Sequence, residues 1–182
     1  MSDKAESFSG ERIYLRILKE EDIDDRYLSW FDNDNLMEFY SSTKKSFKKE
    51  NVLKELDQAE KTKTYFYGIF IIDSGICIGN VKIGPINSIH MISDLVVLIG
   101  DTSFHGKGLA SEAISVANEI AFKKYSVRKL FGGMYESNIA SIKAYASAGW
   151  IVEGKLKDHY VFKGKYEDRV LVACFNKEYK KN

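Results

Sequence analysis

The apolar residues of this chain recur with two periods, and their order predicts an architecture. Residues 12–18 alternate and predict a first strand. Residues 21–31 open acidic and carry Ile23, Tyr27 and Trp30 at helical spacing. Residues 47–60 predict a second helix, with Val52, Leu53 and Leu56 on one face. Residues 65–72 and 76–83 read as strands around the turn Asp73-Ser74-Gly75. A strand over 92–99 is followed by a helix over 109–124, a strand over 129–135 and a helix over 138–148. Residues 150–162 and 166–175 form a last hairpin across Lys163-Gly164-Lys165. Seven strands with an internal βαβα unit imply an α/β (α+β) fold, a mixed sheet with helices on both faces.

No repeat, low-complexity stretch or linker interrupts this order, and 182 residues suit a single domain. Residues 1–10 and 177–182 are expected to be flexible ends. A net charge of +1 gives no general attraction to nucleic acid or to an anionic membrane. The amino-terminal residues lack an apolar signal core, and the apolar run over 65–72 is too short to span a bilayer as a helix, so a cytoplasmic location is expected. Cys77 and Cys174 have no metal-binding spacing and lie in apolar runs, where buried free thiols fit a reducing compartment.

The chemistry concentrates in two segments. His105-Gly106-Lys107-Gly108-Leu109-Ala110 joins the buried strand over 95–99 to the long helix. A glycine turn opening a helix aims several unpartnered amides at one point, where a pyrophosphate fits and the helix dipole favours it. Gly106 and Gly108 let backbone approach phosphate closely, although such a turn can also be mere punctuation. The turn is neither a P-loop nor Gly-x-Gly-x-x-Gly, since position 111 is Ser. The second segment, 138–150, has Asn138 as a helix cap and Gly149 as a stop. It places Asn138, Ser141 and Tyr145 on one face; a capped amphipathic helix with a half-buried tyrosine would look the same.

Together these segments resemble the GNAT family of acyl-CoA-dependent N-acyltransferases, over nearly the whole chain from Arg12 to about Phe175. The family's Gln/Arg-x-x-Gly-x-Gly/Ala loop corresponds to His105 to Ala110, with His105 in place of Gln or Arg. Its Asn-x-x-Ala/Ser-x-x-x-Tyr-x-x-x-Gly-Phe helix corresponds to Asn138 to Trp150, with Trp150 in place of Phe. The resemblance implies a mostly antiparallel seven-stranded sheet with a central βαβα CoA-binding unit, and acetyl-CoA as co-substrate with no metal. Cofactor contacts are then expected from the backbone of Leu98 and Ile99, from His105, Gly106, Lys107, Gly108, Leu109 and Ala110, and from Asn138, Ser141 and Tyr145. The strand before the glycine turn should splay from the next one and admit the thioester.

In that reading Tyr145 protonates the departing sulfur. The base is Asp94 or His90, or a water chain. Substrate contacts are expected from His90, His159 and Asp168. The string from Ile78 to Asn87, with His90 and Asp94, resembles a branch of small GNAT proteins associated with bacterial surface-polysaccharide and flagellin-glycan synthesis, which acetylate nucleotide-linked amino sugars. The ribosomal-protein N-acetyltransferase branch shares the layout. Trp30, Phe39 and Tyr40 could stack on a nucleotide or belong to the core. The late hairpin leaves an edge that invites pairing with a second copy. A non-catalytic acyl-CoA-binding module is the alternative of another class.

Overall fold

The computed structural model describes residues 6–40 and 48–180. The first residue of the helix expected over 47–60, and residues 1–5 and 181–182 of the ends expected to be flexible, lie outside the described residues. Eight strands form one sheet in the order β1-β2-β3-β4-β5-β6-β8-β7. They are β1 (Ser7–Ser9), β2 (Ile13–Ile17), β3 (Tyr65–Ile71), β4 (Cys77–Asn87), β5 (Ile92–Ile99), β6 (Lys129–Tyr135), β7 (Ile151–Phe162) and β8 (Lys165–Phe175). The expected seven becomes eight because Ser7–Ser9, placed in a flexible end by the sequence, pairs antiparallel with β2. Among the described strands only β5 and β6 run parallel, as the helical crossover between them requires.

Among the described residues five α-helices flank the sheet: α1 (Asp25–Ser29), α2 (Lys49–Asp57), α3 (Ala59–Thr62), α4 (Leu109–Glu119) and α5 (Ile139–Ser147). None of the described helices is long and apolar enough to cross a membrane. The helix expected over 21–31 is broken into short 3₁₀ turns on either side of α1. Strand alternation separates two apolar layers. Ile13, Leu15, Tyr67, Ile69, Val81, Leu95, Leu130 and Val172 pack under α4 and α5. Leu18, Phe66 and Phe70 pack on the opposite face with Tyr27 and Trp30 from the α1 region and Val52, Leu53 and Leu56 of α2. Trp30 is therefore core, 5% exposed. Cys77 and Cys174 are free and buried.

Two half-buried arginine–carboxylate pairs anchor β2. Arg16 grips Asp22 with two bonds of 2.7 Å. Glu112, in the first turn of α4, accepts from the Arg12 amide at 2.7 Å, from its Nε at 2.9 Å and from the Ile13 amide at 3.3 Å. Burial alone would raise both carboxyl pKa values. The arginine and backbone donors outweigh it and hold both below their ordinary 4.5 and 3.8. A depressed folded-state pKa contributes stability above the unfolded value, and that stability is lost as pH falls through the folded value. A Glu112→Gln, Asp22→Asn double variant should thus be less stable at neutral pH. Its urea midpoint should fall less than the wild type's between about pH 5 and about pH 2. Parallel curves for the two proteins would refute the assignment.

Candidate active site

The strand following Asp94 parts from its neighbour. β5 and β6 pair at Ile92↔Lys129, Ser93↔Leu130 and Asp94↔Phe131 and no further, although β5 continues to Ile99 and β6 to Tyr135. Beyond Asp94 the edge of β5 is open, and a cleft of about 580 Å³ fills the gap. Its lining includes Asp94 to Leu98, His105, Gly132 to Tyr135, Asn138, Ser141 and Tyr145.

Two carbonyls fix how β5 presents itself there. Leu95 O accepts from the Tyr145 hydroxyl at 2.9 Å, and Ile99 O accepts from His105 Nε2 at 2.8 Å. Because backbone groups alternate sides along a strand, those of Leu95, Val97 and Ile99 face the gap. Those of Val96 and Leu98 face β4, where Lys82 and Asn80 are their register partners. The Leu98 backbone, from which a cofactor contact is expected, is therefore directed toward β4, although the residue itself lines the cleft.

At the mouth of the gap lies the glycine turn. Gly106 and Gly108 have φ of +71° and +75°, values that exclude most other residues, and a Cβ at Gly106 would point into open space. Leu109, Ala110 and Ser111 open α4 without intrahelical acceptors for their amides. The turn is braced from behind, since Arg12 Nη1 donates to Lys107 O at 2.9 Å while its other nitrogens hold Glu112. Arg12 was not among the expected site residues. A polar residue opening an alternating strand reads as solvated, and its partners lie 95 and 100 positions away. Glycines at left-handed φ and free amides make a cradle that fits a pyrophosphate.

Across the gap, Asn138 Oδ1 caps α5 by accepting from the Ser141 amide at 3.1 Å. Tyr145 is 7% exposed, and its ring meets Trp150 edge-on with centroids 4.8 Å apart. Trp150 is fixed in turn by donating to Asn118 Oδ1 at 3.0 Å, which explains the aromatic residue after Gly149. Burial raises the Tyr145 pKa, the Asp94 charge adds to this, and the Val97 backbone opposes it. The net effect is a phenol held well above its ordinary value and therefore protonated at neutral pH.

The cleft passes through the sheet. Tyr145, Asn138 and Ser141 approach from the α4–α5 layer. From the other face come Asn80, Lys82, Asp94, Gly133 and Arg169, roofed by Tyr27, Phe31, Phe39, Tyr40, Val52 and Leu56. Asp94 pairs with Lys82 Nζ at 3.3 Å, and Asn80 donates to the Tyr27 hydroxyl at 2.9 Å.

Three expected residues are not brought to this place. His90 is exposed in the turn before β5, at the end away from the gap, and its carbonyl accepts from Arg128 Nε at 2.7 Å. His159 is exposed on β7, and Asp168 accepts from the Asp158 amide at 2.9 Å; neither lines the cleft.

A parted strand pair that meets a glycine-turned helix terminus, with a buried phenol beside the parting, defines the scaffold of an acyl-CoA-dependent transferase. The chain belongs to the GNAT family, since the family model described as acetyltransferase (GNAT) domain matches residues 12–151. It is an acetyl-CoA-dependent N-acetyltransferase. Relatives include a spermidine N(1)-acetyltransferase of Escherichia coli (strain K12), 26% identical over 94% of this chain and 90% of that protein. Another is the probable N-acetyltransferase YjcK of Bacillus subtilis (strain 168), 22% identical over 92% of this chain and 96% of its own length. Among solved structures, a ribosomal-protein-S5-alanine acetyltransferase from Vibrio fischeri superposes with TM-score 0.81, at 20% identity over 96% of this chain and 99% of that one. A spermidine N-acetyltransferase from Vibrio cholerae, in complex with CoA and spermine, also gives 0.81, at 21% identity over 93% and 99%. These likenesses show the fold.

Proposed function

We propose that this enzyme transfers acetyl from acetyl-CoA directly to the primary amine of a nucleotide-linked amino sugar, with both substrates bound at once. The observation that carries the reading is the opening beyond Asp94, which gives Tyr145 access from one face of the sheet and Asp94 from the other. Leu109, Ala110 and Ser111 amides hold the pyrophosphate with Gly106 and Gly108, and the free edge of β5 takes the pantetheine arm. An incoming ammonium exchanges with Lys82 on Asp94, one cation for another, and gives up its proton there. As the nitrogen adds to the thioester carbon, the Val97 amide is the β5 donor in the gap for the developing oxyanion. The intermediate's nitrogen sheds its second proton to solvent as the carbon–sulfur bond breaks, and Tyr145 turns its proton from Leu95 O to the thiolate. Proton relay from Asp94 through solvent restores the phenol. His90 has no part in this scheme, because the strand carries it away from the gap.

The likeness of residues 78–94 to the glycan-modifying branch supports an amino-sugar acceptor, as do the aromatic side chains Phe31, Phe39 and Tyr40 over the acceptor side. The spermidine acetyltransferase relatives favour a second reading, a polyamine. Thiol release from acetyl-CoA, followed with nucleotide-linked amino sugars, short peptides with free amino termini and polyamines, separates them. Release with the sugars is the expected result. Release only with a polyamine or a peptide would replace the acceptor, and CoA binding without release by any of the three would leave a binding module.

A further inference from the structure

The cleft contains a cation whose Nε, among the described residues, has no acceptor. Arg169 stands on β8 opposite Tyr135, and its guanidinium lies against the backbone of β6 where Gly133 has no side chain. A Cβ at Gly133 would come within 2.7 Å of Nη2. Arg169 Nε is buried without a hydrogen-bond partner, and among the described residues no carboxylate pairs with this side chain. Its one ring contact is Tyr160, with Cζ 5.9 Å from the centroid. The other arginines at the edges of this architecture are satisfied: Arg12 by Glu112, Arg16 by Asp22. A buried guanidinium donor left open is uncommon in a folded protein, and in a cleft it marks a place where a ligand supplies the acceptor. The planar fork of arginine matches a carboxylate or a phosphate.

We infer that Arg169 receives an anionic group of the acceptor, so that the substrate is a primary amine that also carries a phosphate or a carboxylate. The inference rests on reading the α1–α2 side of the cleft as the acceptor site, and it deepens that reading. Arg169 shares this side with Asp94, so the amine is drawn to the carboxylate and the anion to the guanidinium. Beside Arg169 the rings of Tyr135 and Tyr160 stack 4.1 Å apart, and Phe39 stacks on Phe162 at 5.1 Å. The Glu38–Lys163 ion pair closes the same corner. Aromatic faces next to an anion receptor suit a nucleotide phosphate. In the lining Lys82 and Arg169 face the carboxylates of Asp94 and Glu55, and Lys82 is already paired with Asp94, which leaves Arg169 as the cation that an anion can engage.

Calorimetric titration of CoA-saturated protein with UDP, and separately with N-acetylglycine, distinguishes the two sources of the anion. Wild type should bind one of them. Arg169→Gln should weaken that binding at least tenfold, Arg169→Lys should restore part of it, and Gly133→Ala should weaken it by crowding the guanidinium. CoA affinity should stay within twofold in all three. In turnover, Arg169→Gln should raise the acceptor KM with little change in kcat. Binding that is indifferent to Arg169, binding of neither anion, or turnover of spermidine unaffected by Arg169→Gln would overturn the inference. Failure of wild type to bind CoA would instead overturn the transferase mechanism; the effect of Arg169→Gln on anion binding would remain measurable in the unloaded protein.

Discussion

The Tyr145→Phe enzyme is expected to turn over acetyl-CoA about a hundredfold more slowly, the lower end of what a positioned general acid contributes. Its CoA affinity should stay within about twofold. The phenol donates to Leu95 O, the Val97 backbone acts on its oxygen, and its ring is held by Trp150. Removing the hydroxyl therefore leaves the packing intact and costs about 1 kcal/mol of stability. Thiol release under acetyl-CoA saturation, paired with calorimetric CoA binding, checks both halves. The raised pKa of Tyr145 keeps the proton available across neutral pH, so the wild-type rate should not fall on the alkaline side through ionisation of this group below about pH 10. Unchanged turnover in the Phe variant would remove Tyr145 from the chemistry and leave it a packing residue.

Gly108→Val should strike the other substrate. Gly108 caps α4 at φ +75°, and a β-branched side chain there costs at least about 1–2 kcal/mol in backbone strain. Relief of the strain turns the first amides of α4 away from their common focus. Hydrogen bonds to a charged group contribute about 1.5–3 kcal/mol each, so losing one along with the strain weakens CoA binding by about a hundredfold or more. Gly149→Ala is the control. Gly149 also sits at positive φ, +85°, but it ends α5 and touches no part of the turn. Its substitution should lower the melting temperature and leave CoA affinity in place. Equal loss of CoA binding in both variants would show that the effect was one of folding.

The sequence carried the central unit well because its boundaries have local causes. Asn138 caps α5 through the Ser141 amide, left-handed glycines open α4 and close α5, and β5 and β6 begin and end where the apolar runs do. Asp94 stood out as a polar break in an apolar strand, and it lines the cleft. His90 could not be judged the same way. It stands in the turn that precedes β5, whereas the parting of β5 from β6 lies on the far side of Asp94. Lys82 and Arg169 were illegible for a common reason. In an alternating strand a charged position reads as the solvent face, and only the fold reveals that this face is roofed by another layer. Ser7–Ser9 escaped notice because three residues are too few to display a period.

The grip of Glu112 on Arg12 and Ile13 joins positions about a hundred residues apart, one opening the second strand and the other opening the cofactor helix. Competence to bind the cofactor is thereby tied to completion of the chain's topology. A partly folded species with α4 formed but β2 undocked has a glycine turn without its brace, and would bind CoA poorly. Conversely, bound cofactor disfavours fraying of the amino-terminal edge, because peeling β2 away releases the turn. Amide exchange at Arg12 and Ile13 should therefore slow when CoA is added, although neither residue lines the cleft.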